Sequence, residues 1–84
     1  MHDLHAADQI LKLALDKANE NKLLKITKIV IELGRVVEHG EEINPDNLRF
    51  NLKLLAKNTP ASGAEIEIKK FKGDFWKLAE IEGE

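Results

Sequence analysis

The sequence contains no cysteine and no tyrosine, and only 5% of its 84 residues are aromatic. Without cysteine it has no disulfide framework, no thiolate nucleophile and no cysteine-based zinc site. The net charge is only −2, so no strong field favours nucleic acid or an anionic lipid surface. No apolar run approaches the roughly 20 residues of a membrane span, and the amino end lacks the regions of a signal peptide. We therefore expect a cytoplasmic protein with neither nucleic acid nor a membrane as its partner.

The length of the chain and its residue types exclude further classes of function. A chain of this length with 43% hydrophobic residues predicts one small domain over residues 1–84, of modest stability, which a homodimer would strengthen. The one serine, Ser62, falls in a predicted turn, and no glycine-rich loop follows a strand. Because no nucleophile stands with a base, we expect a binding protein and not an enzyme.

The hydrophobic pattern predicts five elements. Residues Asp3 to about Asn21 carry an apolar stripe at helical spacing, and Asp3 is placed to cap the start of that helix. The segment Lys25 to about Val37 alternates as a strand does, and a polar loop follows to Asp46. A second helix is predicted from about Pro45 to Asn58, and two more strands from Ala64 to Lys70 and from Phe75 to Glu82. This order predicts an α+β fold, helix-strand-helix-strand-strand, with a small three-stranded sheet and two helices on one face.

The packing of the strands can also be predicted. In the first strand, the side chains expected to face the helices are Thr27, Ile29, Ile31 and Leu33. A tight turn at 72–74 favours a hairpin between the last two strands, and either turn length leaves aromatic side chains, Phe71 among them, on the uncovered face. With Ile26 and Val30 they would form an exposed apolar patch. The alternative is that a β-bulge turns Trp76 into the core.

The segment Met1-His2-Asp3 is the candidate metal site. The α-amine of Met1, the backbone nitrogens of His2 and Asp3 and the imidazole of His2 lie close enough along the chain to surround one ion with nitrogen donors. Planar nitrogen ligation suits Ni(II) or Cu(II), and the sequence does not choose between them. His5, three residues after His2, is a further ligand, a neighbour of the ligands or a solvated residue. The alternative for His2 is an ordinary polar residue at a chain end.

Three stretches resemble the HypA/HybF nickel-insertion proteins of NiFe-hydrogenase maturation. They are the start at residues 1–3, the run Ile29-Val30-Ile31-Glu32-Leu33-Gly34, and the segment from Leu48 to Ile68. The third is the most specific, because its helix ends in Thr-Pro-Ala-Ser-Gly-Ala before an alternating strand. The resemblance implies helices packed on a mixed sheet, and Ni2+ held at the amino end by Met1, His2 and Asp3.

The resemblance also implies partners: a HypB-like GTPase and the precursor of the hydrogenase large subunit. Relatives interrupt their last two strands with a zinc domain built on two CxxC pairs. This sequence has residues Phe71 to Phe75 at that point, so we expect a turn near 72–74 in place of the zinc domain, and no structural zinc. We thus expect a metallochaperone for a nickel enzyme. The alternative is a metal-independent interaction module of the same fold that docks through the patch around Phe71 and Trp76.

Overall fold

Two helices and a three-stranded mixed sheet form the body of the protein. The computed structural model describes residues 3–38 and 40–84, apart from the side chains of residues 3, 4, 38 and 41. The elements in chain order are α1 (Asp3–Glu20), β1 (Ile26–Leu33), β2 (Val37–Glu38), β3 (Glu41–Glu42), α2 (Pro45–Leu55), β4 (Glu65–Lys70) and β5 (Trp76–Gly83). The predicted α+β fold, with two helices on one face of the sheet, is confirmed. The predicted polar loop differs in one respect, since β2 and β3 form a short antiparallel pair within it.

Helix α2 begins where its sequence favours a boundary. The Asn44 side chain accepts hydrogen bonds from the backbone nitrogens of Asp46 and Asn47 at 2.8 and 3.2 Å, and Pro45 opens α2 with its fixed φ. The helix ends at Leu55, three residues before the predicted end, and Asn58 then adopts a positive φ of 65°. The positive φ of Asn58 turns the chain after α2, and the chain then continues into β4.

Strand β1 lies at the centre of the sheet, and the order is β4-β1-β5. It pairs in parallel with β4 and antiparallel with β5. The predicted hairpin between the last two strands is therefore wrong, because both strands pair with β1. A five-residue link, 71–75, carries the chain from one side of β1 to the other.

The core lies between the helices and one face of the sheet. Ile29, Ile31 and Leu33 are buried in it as predicted, at 0–1% exposure. Thr27 is exposed and donates to the Glu82 carbonyl oxygen at 3.2 Å, so its predicted place on the helix face is wrong. The register shifts between Ile26 and Lys28, and the fully buried side chain there is Ile26.

The predicted exposed apolar patch does not form. The register of β5 shifts so that Val30 pairs with Glu80 and Ile31 with Leu78, which leaves Ala79 as an extra residue in a β-bulge. Trp76, Leu78 and Ile81 all pack against the core as a result. The alternative in which a bulge turns Trp76 inward is confirmed.

The face of the sheet away from the helices is charged. Ion pairs join Lys28 to Glu67 at 3.2 Å and Lys77 to Glu32 at 3.3 Å. Val30, in the middle of this face, is only 6% exposed. The aliphatic stems of the flanking charged side chains can cover it while their charged ends stay in water.

Candidate metal centre

The amino end of α1 carries the predicted metal site. Met1 and His2 lie outside the described residues, as does the side chain of Asp3, so the predicted cap by Asp3 and the three predicted ligands stay predictions. The backbone of Asp3 is the first residue of α1. The position of α1 therefore sets where in the fold the tripeptide is attached.

Helix α1 is packed on the body of the protein from its first turns. Ala6 and Ala7 are 1% and 0% exposed, and Ile10 is fully buried. The helix contacts both α2 and β5. Small alanine side chains allow this close approach, and a well-packed first turn holds the start of the helix in place relative to the sheet. A ligand set built on the chain end would thus have a fixed support.

Helix α1 runs along β5, and its direction shows at which end of the sheet the amino end of the helix lies. Lys17 and Asn21, near its carboxyl end, line a hollow with Leu78–Ile81. A second hollow beside Trp76 is lined by Gln9, Lys12, Leu13 and Asp16. The amino end therefore projects beyond Trp76, toward the end of β1 at Leu33. The link 71–75 crosses at this same end.

Backbone hydrogen bonds hold the link against the end of β1. The Gly34 nitrogen donates to the Phe75 oxygen at 2.8 Å, and the Arg35 nitrogen donates to the Gly73 oxygen at 2.7 Å. The rings of Phe71 and Phe75 meet edge to face with centroids 5.0 Å apart. Sequence reasoning did not foresee that the link and the amino end of α1 share one end of the sheet. Glycines at both 34 and 73 were the available signal for a close backbone crossing.

His5 is exposed in the first turn of α1. Outside the undescribed positions, no group of three or more His, Asp or Glu side chains is arranged to hold a metal ion. The structure therefore does not assemble His5 with other described ligands, and its contribution to the site stays a prediction.

Two carboxylates of the charged sheet face, Glu67 and Glu32, are paired with lysines. The hydrogen bond between the Lys28 ammonium and Glu67, together with their attraction, lowers the pKa of Glu67 and raises the pKa of Lys28. The Lys69 ammonium also lies 3.5 Å from Glu67. A metal cation that bound Glu67 would have to displace these two lysines. We therefore interpret Glu67 as part of an ion pair on the protein surface and not as a metal ligand.

Comparison with known proteins identifies the family. The family model described as "Hydrogenase/urease nickel incorporation, metallochaperone, hypA" matches residues 1–77. Hydrogenase maturation factor HypA of Methanobrevibacter smithii is 37% identical over 70 residues, which cover 83% of this chain and 53% of that protein. HypA of Methanopyrus kandleri is 34% identical over 80 residues, covering 95% and 53%. The chain thus spans about half the length of these relatives.

A solved structure has the same fold. The solution structure of the Ni metallochaperone HypA from Helicobacter pylori matches with a TM-score of 0.81, covering 99% of this chain and 97% of that one, at 13% identity. The protein is thus of the class of small two-layer α+β domains with two helices on one face of a three-stranded mixed sheet. It belongs to the HypA family of hydrogenase and urease nickel-incorporation proteins.

No helix within the described part of the chain combines the length and the apolar character needed to cross a bilayer.

Proposed function

We propose that this protein is a nickel metallochaperone that holds Ni(II) at its amino end, with Met1, His2 and Asp3 as the ligand set, and serves the maturation of a nickel enzyme such as NiFe-hydrogenase. Membership of the HypA family supports nickel as the cargo. The observation that supports the position of the site is that α1 begins at Asp3 and that one side of this helix is buried from Ala6 onward.

The proposed ligand set suits a carrier. Backbone and amine nitrogens favour the planar geometry of Ni(II). Because few side chains bind the ion, the imidazole of His2 among them, few must release it when the ion is transferred. His5 in the first turn of α1 is exposed, so a receiving protein could approach a site at this end of the helix. The proposed partners are a HypB-like GTPase and the precursor of the hydrogenase large subunit, met in the cytoplasm, and the protein acts by binding and not by catalysis.

We place the whole nickel-binding unit within residues 1–84, with the link 71–75 in place of the zinc domain of relatives. The link passes from β4 to β5 in five residues and is fastened to the end of β1. In this proposal the unit binds nickel without a structural zinc ion. The metal-independent alternative lacks support, because the aromatic patch on which it depended is replaced by a charged face.

The decisive experiment is an Ni(II) titration by calorimetry of untagged protein that begins at Met1. Affinity should fall at least about tenfold in His2→Ala, through loss of the imidazole, and also in a variant with extra residues before Met1, through loss of the free amine. His39→Ala is the matched control, because it removes a histidine elsewhere in the sequence. His5→Ala then measures the contribution of His5.

Undiminished affinity in both the His2→Ala variant and the extended variant would defeat the proposal. The partners are tested by pull-down of a HypB-like GTPase and a hydrogenase precursor, with and without nickel. Capture that is independent of nickel, by a protein without Ni(II) affinity, would favour the interaction module instead.

A further inference from the structure

Helix α2 carries two exposed apolar side chains on the side that faces away from the core. Leu48 and Leu52 are its fully buried positions and hold the helix on the body of the protein. At about 3.6 residues per turn, Phe50 lies on the opposite side of the helix from both leucines. Phe50 is 66% exposed, and Leu54, one turn further along the same side, is 47% exposed. The two side chains form an apolar ridge in contact with water.

An apolar pair in this position is unusual for a free surface. Single apolar side chains scattered over a protein are ordinary, but adjoining ones form a patch of the kind that binds partners. Helix α2 packs against α1 and β4 with its other side, so the fold itself leaves Phe50 and Leu54 exposed. Aromatic side chains are also enriched in protein–protein interfaces. The pair therefore marks a candidate docking surface.

Two lysines form a second ridge beside the apolar one. The α2 face is defined by four residues at the helical spacing i, i+3, i+4 and i+7, namely Phe50, Lys53, Leu54 and Lys57. None of the ion pairs between described side chains includes either of these lysines. The one carboxylate of α2, Asp46, is held by Arg49 at 3.1 Å. The face thus combines apolar surface with two ammonium groups that are available to a partner.

A hollow of about 680 Å³ borders the lysine ridge, between the end of α2 and the start of β4. Lys53 and Lys57 line it together with Ser62, Gly63 and Glu65. A Cβ on Gly63 would meet nothing within 4 Å, so the backbone there is open to a bound group. Glu65 is the one acidic residue in the lining, against two lysines. The hollow therefore has room for carboxylate side chains that approach the two ammonium groups.

The backbone of α2 restricts the conformation of the partner. Its amide and carbonyl groups bond within the helix, so the α2 face offers no row of donors and acceptors to an extended chain. A partner segment must therefore have its own backbone hydrogen bonds already made, as a helix does. Two helices pack when a ridge of one fills a groove of the other. The ridge of Phe50 and Leu54 and the ridge of Lys53 and Lys57 leave such a groove between them.

We propose that the α2 face is a docking surface for an acidic amphipathic helix of a partner protein. The apolar stripe of that helix covers Phe50 and Leu54, and its flanking carboxylates meet Lys53 and Lys57. This is the way in which amphipathic helices are commonly recognised, with apolar anchors at helical spacing and charges at the rim. The surface includes none of residues 1–3, so binding there is independent of the proposed nickel site.

A membrane surface is the other occupant that apolar and basic residues on one helix can have. The net charge of −2 opposes an anionic bilayer. Two apolar side chains also bury little area in lipid, whereas interfacial helices insert a long apolar face. The observations therefore favour a protein helix with carboxylates.

Titration of the isotope-labelled full chain with a synthetic peptide, followed by NMR, tests the proposal. The peptide has about 18 residues, enough to form a helix, with leucines at helical spacing and glutamates on both sides of them. A second peptide has lysine in place of each glutamate. The glutamate peptide should shift the backbone signals of residues 50–57. Its dissociation constant should be lower than that of the lysine peptide by at least about tenfold, because only its charges complement Lys53 and Lys57.

Two variants separate the apolar and the charged contributions. Phe50→Ser should weaken binding of the glutamate peptide on the order of tenfold, because it removes the central apolar anchor. The double variant Lys53→Glu/Lys57→Glu should bind the lysine peptide more tightly than the glutamate peptide, since the attractive and repulsive pairs are exchanged. All three positions are exposed, and thermal unfolding shows that each variant is folded.

The matched controls lie outside the α2 face. Leu24→Ser removes an apolar side chain that is 88% exposed after α1, and Lys72→Glu reverses an exposed charge in the link 71–75. Neither should change the affinity for the glutamate peptide. Nickel affinity should be the same in Phe50→Ser as in the parent, so failure of this proposal is distinguishable from failure of the nickel site.

Several results would overturn the proposal. They are the absence of any shift up to about millimolar peptide, equal affinity for the two peptides, and shifts centred on the hollow beside Trp76. Signals of α2 that move with protein concentration alone would show that a second copy occupies the face. Sedimentation with vesicles of phosphatidylcholine and phosphatidylserine that is lost in Phe50→Ser would show that a membrane does. Either result would replace the acidic helix as the occupant.

Discussion

Gly34 lies directly against the backbone of Gly73, such that a Cβ on Gly34 would be 2.6 Å from the Gly73 carbonyl oxygen. The Phe75 oxygen would be 2.8 Å from the same atom. At this point the link 71–75 crosses the end of β1, and the neighbouring Arg35 nitrogen bonds to Gly73. The absence of a side chain at Gly34 is thus what allows the chain to pass from β4 to β5 at this distance.

Replacement of Gly34 by alanine should destabilise the protein by about 1–3 kcal/mol, because backbone atoms must move to admit the methyl group. The free energy of unfolding in urea measures this loss. Gly63→Ala is the control, since its Cβ would meet nothing within 4 Å and its φ of +79° alone makes alanine unfavourable, at a cost of about 1 kcal/mol. A Gly34→Ala variant as stable as the parent would contradict the close contact between Gly34 and the link 71–75.

Removal of the cap of α2 should also reduce stability. Asn44→Ala leaves the backbone nitrogens of Asp46 and Asn47 without their acceptor, at a cost of about 1 kcal/mol. Asn47→Ala is the matched control, because its exposed side chain is in the first turn of the same helix and does not cap it. Equal urea unfolding curves for the two variants would contradict the role assigned to Asn44.

The ion pair between Lys28 and Glu67 makes stability depend on pH at both extremes. The folded pKa of Glu67 lies below its ordinary value of 4.5, so its contribution is present above about pH 4.5 and is lost as pH falls through the folded pKa. The folded pKa of Lys28 lies above its ordinary 10.5, so its contribution is present below that pH and is lost as pH rises through the folded pKa.

Glu67→Gln tests the acidic side. The difference in free energy of unfolding between the parent and this variant should be full at neutral pH and shrink on acidification below about pH 4.5. It should also shrink in high salt, because the two side chains are 29% and 37% exposed. Glu80→Gln, on the same charged face, should leave the effect of the Lys28–Glu67 pair intact. A difference that stays constant down to acidic pH would exclude the pair as its source.

Local patterns predicted the elements of this fold, but not how its last strands pair. The alternation in β1 and the Asn44-Pro45 start of α2 are properties of neighbouring residues. Both predictions are confirmed, apart from the place of Thr27. The partner of β5 depends on which edge of β1 is free, a competition between distant segments. The bulge at Ala79 is likewise set by pairing with β1. Because of this bulge, simple alternation along β5 could not decide which face of the sheet Trp76 occupies.

The candidate site shows a similar division. The sequence predicts the donor atoms, because Met1, His2 and Asp3 are adjacent along the chain. It did not predict that α1 would lie along β5, so that its amino end projects at the link 71–75. The hydrogen bond from Arg49 Nε to the Ile66 carbonyl oxygen on β4, at 3.3 Å, was also missed. The spacing of Asp46 and Arg49 indicates an ion pair on one helix and gives no sign of a contact with a strand.

Nickel affinity should fall steeply on acidification if the ion is held by the proposed nitrogens. The imidazole of His2 must be neutral, and the amine and backbone nitrogens must give up protons to the solvent. Each proton released makes affinity change about tenfold per pH unit where that group is protonated in the free protein. Titrations between about pH 8 and pH 6, spanning the usual imidazole range, measure this slope. His39→Ala should reproduce it, and an affinity independent of pH would exclude a site built from these nitrogens.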